Sequence, residues 1–191
     1  MDRKKFFKSY LLDLLAGVDE AFGEDLDKLA DKFPELVRPP GAFPESEFLE
    51  KCARCGNCVR ACPFFALKPV TMANQFDIGT PSLRCYEGWC RFCDGFPCVE
   101  ACKTGALSLA NHEKLKKIAT AQLIAGNCLR SEGQDCQECL VRCRQTKFTG
   151  ALIITDEQKV PRINPELCSG CGACLNSCPA YPQPAIILKP L

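Results

Sequence analysis

CARCGNCVRACP, residues 52–63, and CSGCGACLNSCP, residues 168–179, share one arrangement of four cysteines followed by proline. In both stretches two residues separate the first three cysteines from one another, and three residues precede the fourth. Three thiolates on one tight loop suit three irons of a single 4Fe–4S cluster, and the fourth is placed to ligate a neighbouring cluster. Zinc sites instead use paired cysteine knuckles with longer gaps between the pairs. The two stretches therefore predict 4Fe–4S clusters.

Two looser cysteine quartets lie between these stretches. One spans residues 90–102 and has four residues in its central gap, and the other spans residues 128–143 and has seven residues in its first gap. Lys103 and Arg144 stand where the outer quartets have proline. A zinc site or a structural role stays open for the quartet at 128–143. Beside the outer quartets both are expected to complete neighbouring clusters, which gives four 4Fe–4S clusters in all.

The ligands of these clusters are expected to cross between quartets, because the fourth cysteine of such a motif serves the other cluster of a pair. All sixteen cysteines of the quartets are then iron ligands. The predicted sets are Cys52, Cys55, Cys58 and Cys102; Cys90, Cys93, Cys98 and Cys62; Cys128, Cys136, Cys139 and Cys178; and Cys168, Cys171, Cys174 and Cys143.

The chain has 17 cysteines among 191 residues, so one remains outside the quartets. This residue, Cys85, could replace Cys90 as a ligand or be a buried spare thiol. The only histidine, His112, lies in a polar stretch and is expected to be solvated. Because little apolar core is available around each cluster, the chain without metal is expected to be largely unfolded.

The charge balance argues against a nucleic-acid partner. The formal net charge is +1 and the sequence contains no dense basic stripe. Each oxidised cluster with four thiolates adds about −2, so the loaded protein would carry about −7. Six cations lie next to cysteines, five of them beside quartet cysteines and Arg84 beside Cys85, and either raise the potential of a nearby cluster or only solvate the surface: Arg54, Arg84, Arg91, Lys103, Arg142 and Arg144.

The N-terminal residues predict retention in the cytoplasm. Residues 2–8, DRKKFFK, look like a twin-arginine export signal with Lys4 in place of the second arginine. The apolar stretch that follows, residues 9–17, is short and interrupted by Asp13, whereas a signal peptide needs a clean apolar core. The sequence contains no run of 18 apolar residues, so no transmembrane segment is expected.

The chain is expected to be an α+β protein with three parts. Residues 1–45 contain no cysteine and have apolar residues near helical spacing, which predicts an N-terminal helical arm. This arm either packs on its own core or docks a partner. Residues 46–117 and 118–191 each contain two quartets and are predicted to be tandem di-cluster modules. Short strands are expected at residues 106–109, 118–124, 151–155, 160–163 and 185–188.

The order and spacing of the motifs resemble the NapG/MauM group of ferredoxin-type proteins over about residues 38–191. The residues that carry the resemblance are the four quartets together with RPPGA at 38–42, PE at 44–45, FL at 48–49 and FPCVEACKTGAL at 96–107. The resemblance implies bacterial-ferredoxin-like modules, each with two 4Fe–4S clusters, that transfer electrons.

The resemblance also implies two cellular settings. Members of the group with an intact twin-arginine signal act in the periplasm and pass electrons from quinol-linked partners. Similar cytoplasmic polyferredoxins are electron-transfer subunits of larger enzymes, including tungsten-dependent aldehyde oxidoreductases. The second setting fits the altered signal of this chain better.

The sequence offers no catalytic residues of its own. It contains no nucleophile–base pair, phosphate-binding glycine loop or flavin fingerprint, so the chain is predicted to be a non-catalytic electron-transfer protein. Its expected partners are a catalytic oxidoreductase subunit, with tungsten and molybdenum as the candidate metals, and a second redox protein as donor or acceptor. The alternatives are a maturation factor for a redox enzyme, a NapG-like link to a quinol-oxidising membrane partner, and a freely diffusing ferredoxin.

Overall fold

The computed structural model describes residues 35–72, 75–155 and 160–191. Most of the predicted N-terminal arm, residues 1–45, lies outside these ranges, and so does the predicted export-like signal. Only the last part of the arm, from residue 35 onward, is described. Within the described ranges, no helix has the length and apolar character needed to cross a membrane.

The described part of the chain combines short helices with short strands, as the predicted α+β class requires. Its α-helices are α1 (Glu45–Lys51), α2 (Asn57–Arg60), α3 (Pro97–Glu100), α4 (His112–Lys116), α5 (Glu138–Arg144) and α6 (Ala173–Asn176). Its strands are β1 (Leu67–Pro69), β2 (Pro81–Leu83), β3 (Ala119–Leu123), β4 (Leu152–Ile153), β5 (Arg162–Ile163) and β6 (Ile186–Pro190). Two 3₁₀-helices, Ala125–Asn127 and Leu129–Glu132, follow β3.

The strands form three antiparallel pairs. β3 pairs with β6 over five residues, from Ala119 opposite Pro190 to Leu123 opposite Ile186. β1 pairs with β2, and β4 pairs with β5. The β3–β6 pair confirms the strands expected at 118–124 and 185–188, and β4 and β5 occupy parts of two further predicted strands. The sequence did not indicate the β1–β2 pair.

The strand expected at residues 106–109 is wrong. Only a single bridge forms there, between Ala42 and Leu107. The partner segment cannot continue the ladder, because Pro39 and Pro40 have no N–H to donate. Gly41 then turns the backbone into the left-handed region, with a φ of 77°.

Helix α1 begins at the position that the sequence indicates. Pro44 precedes it, the acidic Glu45 and Glu47 occupy its first turn, and Lys51 lies in its last turn, which suits the helix dipole. Its Phe48 side chain is fully buried. The helix therefore presents one apolar side chain to the core and leads the chain into the first cysteine loop.

A buried arginine anchors the segment before α1. The Arg38 guanidinium forms ion pairs with Glu45 and Asp77, both at 2.6 Å, and stacks over the Phe48 ring at 4.8 Å. It also donates to the Thr80 hydroxyl at 2.7 Å. Asp77 and Thr80 are themselves fully buried. This network fixes the chain entering α1 against the loop before β2.

The two halves of the described chain pack directly against each other. One core cluster joins Leu83, Cys85 and Phe92 from the first half to Ile118 and Ala119 at the start of β3. Other contacts across the halves are the edge-to-face rings of Phe92 and Phe148, the ion pair of Asp94 with Lys147, and the Arg142 guanidinium over the Trp89 ring. The apolar core therefore extends across the predicted module boundary, which lies between residues 117 and 118.

Candidate iron–sulfur sites

Four cavities in the described chain are each lined by four cysteines. The first cavity is lined by Cys52, Cys55, Cys58 and Cys102; the second by Cys62, Cys90, Cys93 and Cys98; the third by Cys143, Cys168, Cys171 and Cys174; and the fourth by Cys128, Cys136, Cys139 and Cys178. These groups are the same sets that crossed ligation predicts, and their role as iron ligands stays a prediction.

The helices that follow the cysteine loops place the cysteines of each quartet in two different cavities. Helix α2 contains Cys58, which lines the first cavity, and is followed by Cys62, which lines the second. Helix α3 does the reverse, since Cys98 lines the second cavity and Cys102, just after the helix, lines the first. Each helix therefore contributes cysteines to two neighbouring cavities.

The second half of the chain repeats this arrangement. Cys139 and Cys143 of α5 line the fourth and third cavities respectively. Cys174 of α6 lines the third cavity, and Cys178 beyond that helix lines the fourth. Helices α5 and α6 thus exchange cysteines as α2 and α3 do.

Left-handed residues shape three of the cysteine loops. Arg54, Phe92 and Gly170 each stand immediately before the second cysteine of a loop, with φ of 55°, 46° and 75°. Left-handed backbone in such turns can direct N–H groups into a concavity that favours an anion. Arginine and phenylalanine rarely adopt this conformation, which costs about 1–3 kcal/mol and persists only where the surroundings enforce it. The loop glycines can be recognised in the sequence as candidates for left-handed backbone. Nothing in the sequence indicates this conformation for Arg54 and Phe92.

Backbone amides donate to three of the cysteine sulfurs. The donors are Leu107 to Cys102 at 3.4 Å, Ala121 to Cys168 at 3.4 Å, and Ala185 to Cys178 at 3.3 Å. Hydrogen bonds of this kind orient metal ligands and stabilise the thiolate. The donors lie at or beside strands, far from the loops in sequence, so the motif spacing did not reveal them.

Burial favours the neutral form of several of the thiols in the absence of metal. It raises the pKa of Cys58 and Cys139 to about 11 and that of Cys98 to about 12, and thiols in the same cavity add to each shift. Burial also raises the pKa of Cys90 and Cys174. A positively charged centre would reverse this preference, because metal binding replaces protons on the ligands.

The cysteine sets fit an iron–sulfur cluster better than a single ion. Across the described ranges, no three His, Cys, Asp or Glu side chains lie close enough to hold one metal ion. The cysteines instead stand around cavities that no described histidine or carboxylate lines. Four thiolates, three of them from one short sequence stretch, are the ligand set typical of a 4Fe–4S cluster. The cavity of the quartet at 128–143 has the same cysteine lining, and the choice between a cluster and zinc there stays a prediction.

The four cavities form a row. Helices α2 and α3 share cysteines between the first and second cavities, and α5 and α6 share them between the third and fourth. Between the second and third cavities, the Cys90 N–H donates to the Cys171 carbonyl oxygen at 2.9 Å. The loop at residues 128–139 therefore lies at one end of the row, although it is third in the sequence.

Cys85 lies outside the four cavities. It is 4% exposed and belongs to the core between the two halves. A side chain at Gly172 would collide with its sulfur, so it fills the space beside that glycine. Its burial raises its pKa to about 12. Cys85 is therefore a buried thiol, and its role as a spare residue rather than a ligand stays a prediction.

The positive side chains near the cavities differ in position. Arg54 lines the first cavity and Arg91 the second, where Arg91 also stacks on the Trp89 ring at 3.7 Å. Arg130, which the sequence analysis did not single out, lines the fourth cavity and pairs with Asp135 at 2.9 Å. The sequence feature that could have identified Arg130 is its position between the first two cysteines of that quartet. The lone histidine, His112, is exposed on α4, as expected.

The chain is similar to known iron–sulfur proteins. Residues 48–68 and 161–181 match the family model of the 4Fe-4S binding domain, and these stretches contain the first and last quartets. The ferredoxin-type protein NapG of Escherichia coli (strain K12) is 33% identical over 170 residues, which cover 81% of this chain and 71% of NapG.

Two other curated relatives show the same similarity. The methylamine utilization ferredoxin-type protein MauM of Methylophilus methylotrophus is 34% identical over 200 residues, covering 99% of this chain and 87% of MauM. The ferredoxin-type protein NapF of E. coli is 30% identical over 143 residues, covering 75% of this chain and 80% of NapF. No solved structure matches the chain.

Proposed function

Because this chain belongs to the family of ferredoxin-type proteins that includes NapG and MauM, we propose that it carries single electrons along a row of four 4Fe–4S clusters. The observation that supports this proposal most directly is the row of four cavities, each lined by four cysteines. A bound 4Fe–4S cluster supplies a one-electron couple, and the protein sets its position and electrostatic surroundings. The proposed ligands of each cluster are the four cysteines of its cavity.

The clusters are proposed to lie in two tandem ferredoxin-like modules, residues 46–117 and 118–191, with two clusters in each. The exchange of cysteines between α2 and α3, and again between α5 and α6, supports this division. Crossed ligands of this type are the pattern of two-cluster ferredoxins. The apolar core around Cys85, Ile118 and Ala119 then holds the modules together and excludes water between the second and third cavities.

The ends of the row are proposed to face the redox partners. Cys55, which lines the first cavity, is the one exposed cysteine of the chain. The fourth cavity lies at the opposite end, beside the 3₁₀-helix Leu129–Glu132. A partner can approach a cluster most closely where its ligands reach the surface, and Cys55 is such a ligand at the first cavity.

The partners are proposed to be a catalytic oxidoreductase subunit at one end and a second redox protein, donor or acceptor, at the other. A tungsten- or molybdenum-containing catalytic subunit follows from the resemblance to polyferredoxin subunits. The chain itself is proposed to be non-catalytic and cytoplasmic, and fractionation of native cells would test its location.

A second candidate function is a NapG-like link to a quinol-oxidising membrane partner. The similarity to NapG over 81% of this chain favours it. A third, a maturation factor, differs in predicting only transient binding to an enzyme that lacks its cofactor.

Anaerobic purification of the chain from native extract separates these functions. We expect a catalytic subunit to purify with it in fixed stoichiometry, and we expect electron transfer to that subunit to depend on the chain after maturation is complete. A membrane quinol-oxidising protein in place of the catalytic subunit would favour the NapG-like function. Loss of the chain without effect on the mature enzyme would overturn the relay and favour the maturation factor.

A further inference from the structure

The third cavity contains a buried hydroxyl that has no hydrogen-bond partner among the described residues. Ser169 lines this cavity and is 4% exposed, and its Oγ atom makes no hydrogen bond there. A buried polar group left without a partner costs about 1–3 kcal/mol, so such groups normally have one. The hydroxyl therefore indicates a partner that occupies the cavity.

The backbone around Ser169 is held firmly in place. Its carbonyl oxygen accepts a hydrogen bond from the Ile118 N–H at 3.0 Å. The next residue, Gly170, packs so closely on the Ala119 backbone that any side chain at 170 would collide with it. The loop is thus fixed against the start of β3, and the serine cannot easily turn out to water.

No other cavity has a buried hydroxyl at the equivalent position; the Thr104 hydroxyl, which contacts the Cys102 sulfur at 3.7 Å in the first cavity, belongs to an exposed residue. The residue that follows the first cysteine of the loop is Ala53 in the first cavity, Arg91 in the second and Gln137 in the fourth, and all three side chains are exposed. At this position only Ser169 is buried, because the packing of the two halves covers its loop. The third cavity therefore offers a donor in a place from which water is excluded.

We propose that the Ser169 hydroxyl donates a hydrogen bond to a sulfur of the cluster in the third cavity and thereby raises the reduction potential of that cluster. This inference rests on the proposed function. The Ser169 side chain lines the third cavity and is buried there. Reduction adds one electron to the cluster and increases the negative charge on its sulfurs, so a hydrogen bond stabilises the reduced form more than the oxidised form. No proton is transferred in this step, and Ser169 is a positioning residue that tunes one cluster of the four.

The test is an anaerobic redox titration of the full loaded chain with dithionite, followed by electron paramagnetic resonance, for the parent and for Ser169→Ala. We expect the ratio of reduced to oxidised cluster at a fixed potential to fall about tenfold for one cluster, a shift of about 59 mV for a one-electron couple. The other three midpoints should stay where they are. Resonance Raman spectra should show a change in Fe–S stretching at one cluster.

Ser177→Ala is the matched control. Ser177 lies between Cys174 and Cys178, and its hydroxyl already donates to the carbonyl oxygens of Glu138 and Cys174 at 3.3 Å. Its removal is expected to leave all four midpoints unchanged. Unchanged midpoints in Ser169→Ala with full iron, or equal shifts in both variants, would overturn the inference.

Threonine and valine at position 169 decide the matter if the alanine variant binds less iron. They have the same shape and differ in the hydroxyl. We expect Ser169→Thr to keep the parent midpoints and iron content and Ser169→Val to match Ser169→Ala. Equal behaviour of the two would contradict the inference. If the parent chain itself contained no clusters, the proposed function would fail before Ser169 was tested, so the two failures are distinguishable.

Discussion

The backbone N–H of Cys90 donates a hydrogen bond to the carbonyl oxygen of Cys171 at 2.9 Å. Cys90 lines the second cavity and Cys171 the third, so this bond joins the two halves of the chain at the centre of the row. Because both loops are fixed by this contact, the spacing between the two inner cavities does not depend on a flexible linker. The four sites are therefore expected to act as one redox unit.

Replacement of Cys62 by alanine tests the crossed ligation. Cys62 follows the first cysteine loop in sequence but lines the second cavity. We therefore expect Cys62→Ala to disturb the cluster of Cys90, Cys93 and Cys98 and to leave the cluster of the first cavity in place. Alkylation of freed thiols and mass spectrometry would identify which cysteines are released.

The reciprocal variant is Cys102→Ala, which is expected to free Cys52, Cys55 and Cys58 because Cys102 lines the first cavity. Release of the first-cavity cysteines by Cys62→Ala, with the second set protected, would contradict crossed ligation.

Replacement of Cys85 tests its role as a structural thiol. It lies in the core rather than in a cavity wall, so Cys85→Ala should keep the full iron content and lose about 1 kcal/mol of stability. Cys85→Ser should lose more, about 1–3 kcal/mol, because a hydroxyl would be buried there without a partner. Iron analysis and unfolding in denaturant would measure both effects. Loss of one cluster from Cys85→Ala would show that Cys85 is a ligand after all.

Arg38 is expected to matter for stability but not for the redox properties. Asp77 is fully buried, so Arg38→Ala would remove the ion pair that the Arg38 guanidinium makes with a buried carboxylate. Breaking a buried pair on one side costs about 3–5 kcal/mol. Anaerobic unfolding in guanidinium, followed through the visible absorption of the clusters, would measure this loss.

Lys51→Ala is the control for that prediction, since it removes an exposed ion pair with Glu47 worth about 0.3–0.5 kcal/mol. The cluster midpoints should not move in either variant. Similar stabilities of the two variants would show that the Arg38 network does not anchor the segment before α1.

Iron retention should fall as the pH is lowered. Burial raises the pKa of Cys58 and Cys139 to about 11 and of Cys98 to about 12, so these sites favour the protonated thiol over the thiolate. Protons and iron compete for the same sulfurs, and a raised pKa means that the sulfur binds its proton more tightly. Acidification from about pH 8 to about pH 5 should therefore release iron, and a return to higher pH should favour reloading. Equal retention of iron after anaerobic desalting across this range would contradict the expectation.

The regular spacing of the cysteines made their grouping predictable, but the surroundings of each cavity were not. Crossed sets could be written down because the last cysteine of a motif lies beyond a short helix and faces the next loop. The order of the cavities was hidden, since it depends on the packing of Cys90 against Cys171 and of α5 against α6. The left-handed conformation of Phe92 and the burial of Ser169 could not be predicted from the sequence either, because they also depend on packing between distant parts of the chain.

Local strand pairing was predicted only in part. The β3–β6 pair has long apolar stretches on both strands and was evident, whereas β1 and β2 are three residues each and both contain proline. Pro69 and Pro81 face each other at the end of that pair, where neither needs to donate a hydrogen bond. Strand propensity alone does not indicate such a pair.

The most direct test of the whole account is the iron and acid-labile sulfide content of the chain purified without oxygen. Four clusters predict about sixteen irons and about sixteen sulfides per chain, with a brown colour that is lost on oxidation. Zinc or disulfides on these cysteines, in a colourless protein without sulfide, would contradict the central claim. A content of about eight irons would restrict the clusters to two of the four cavities.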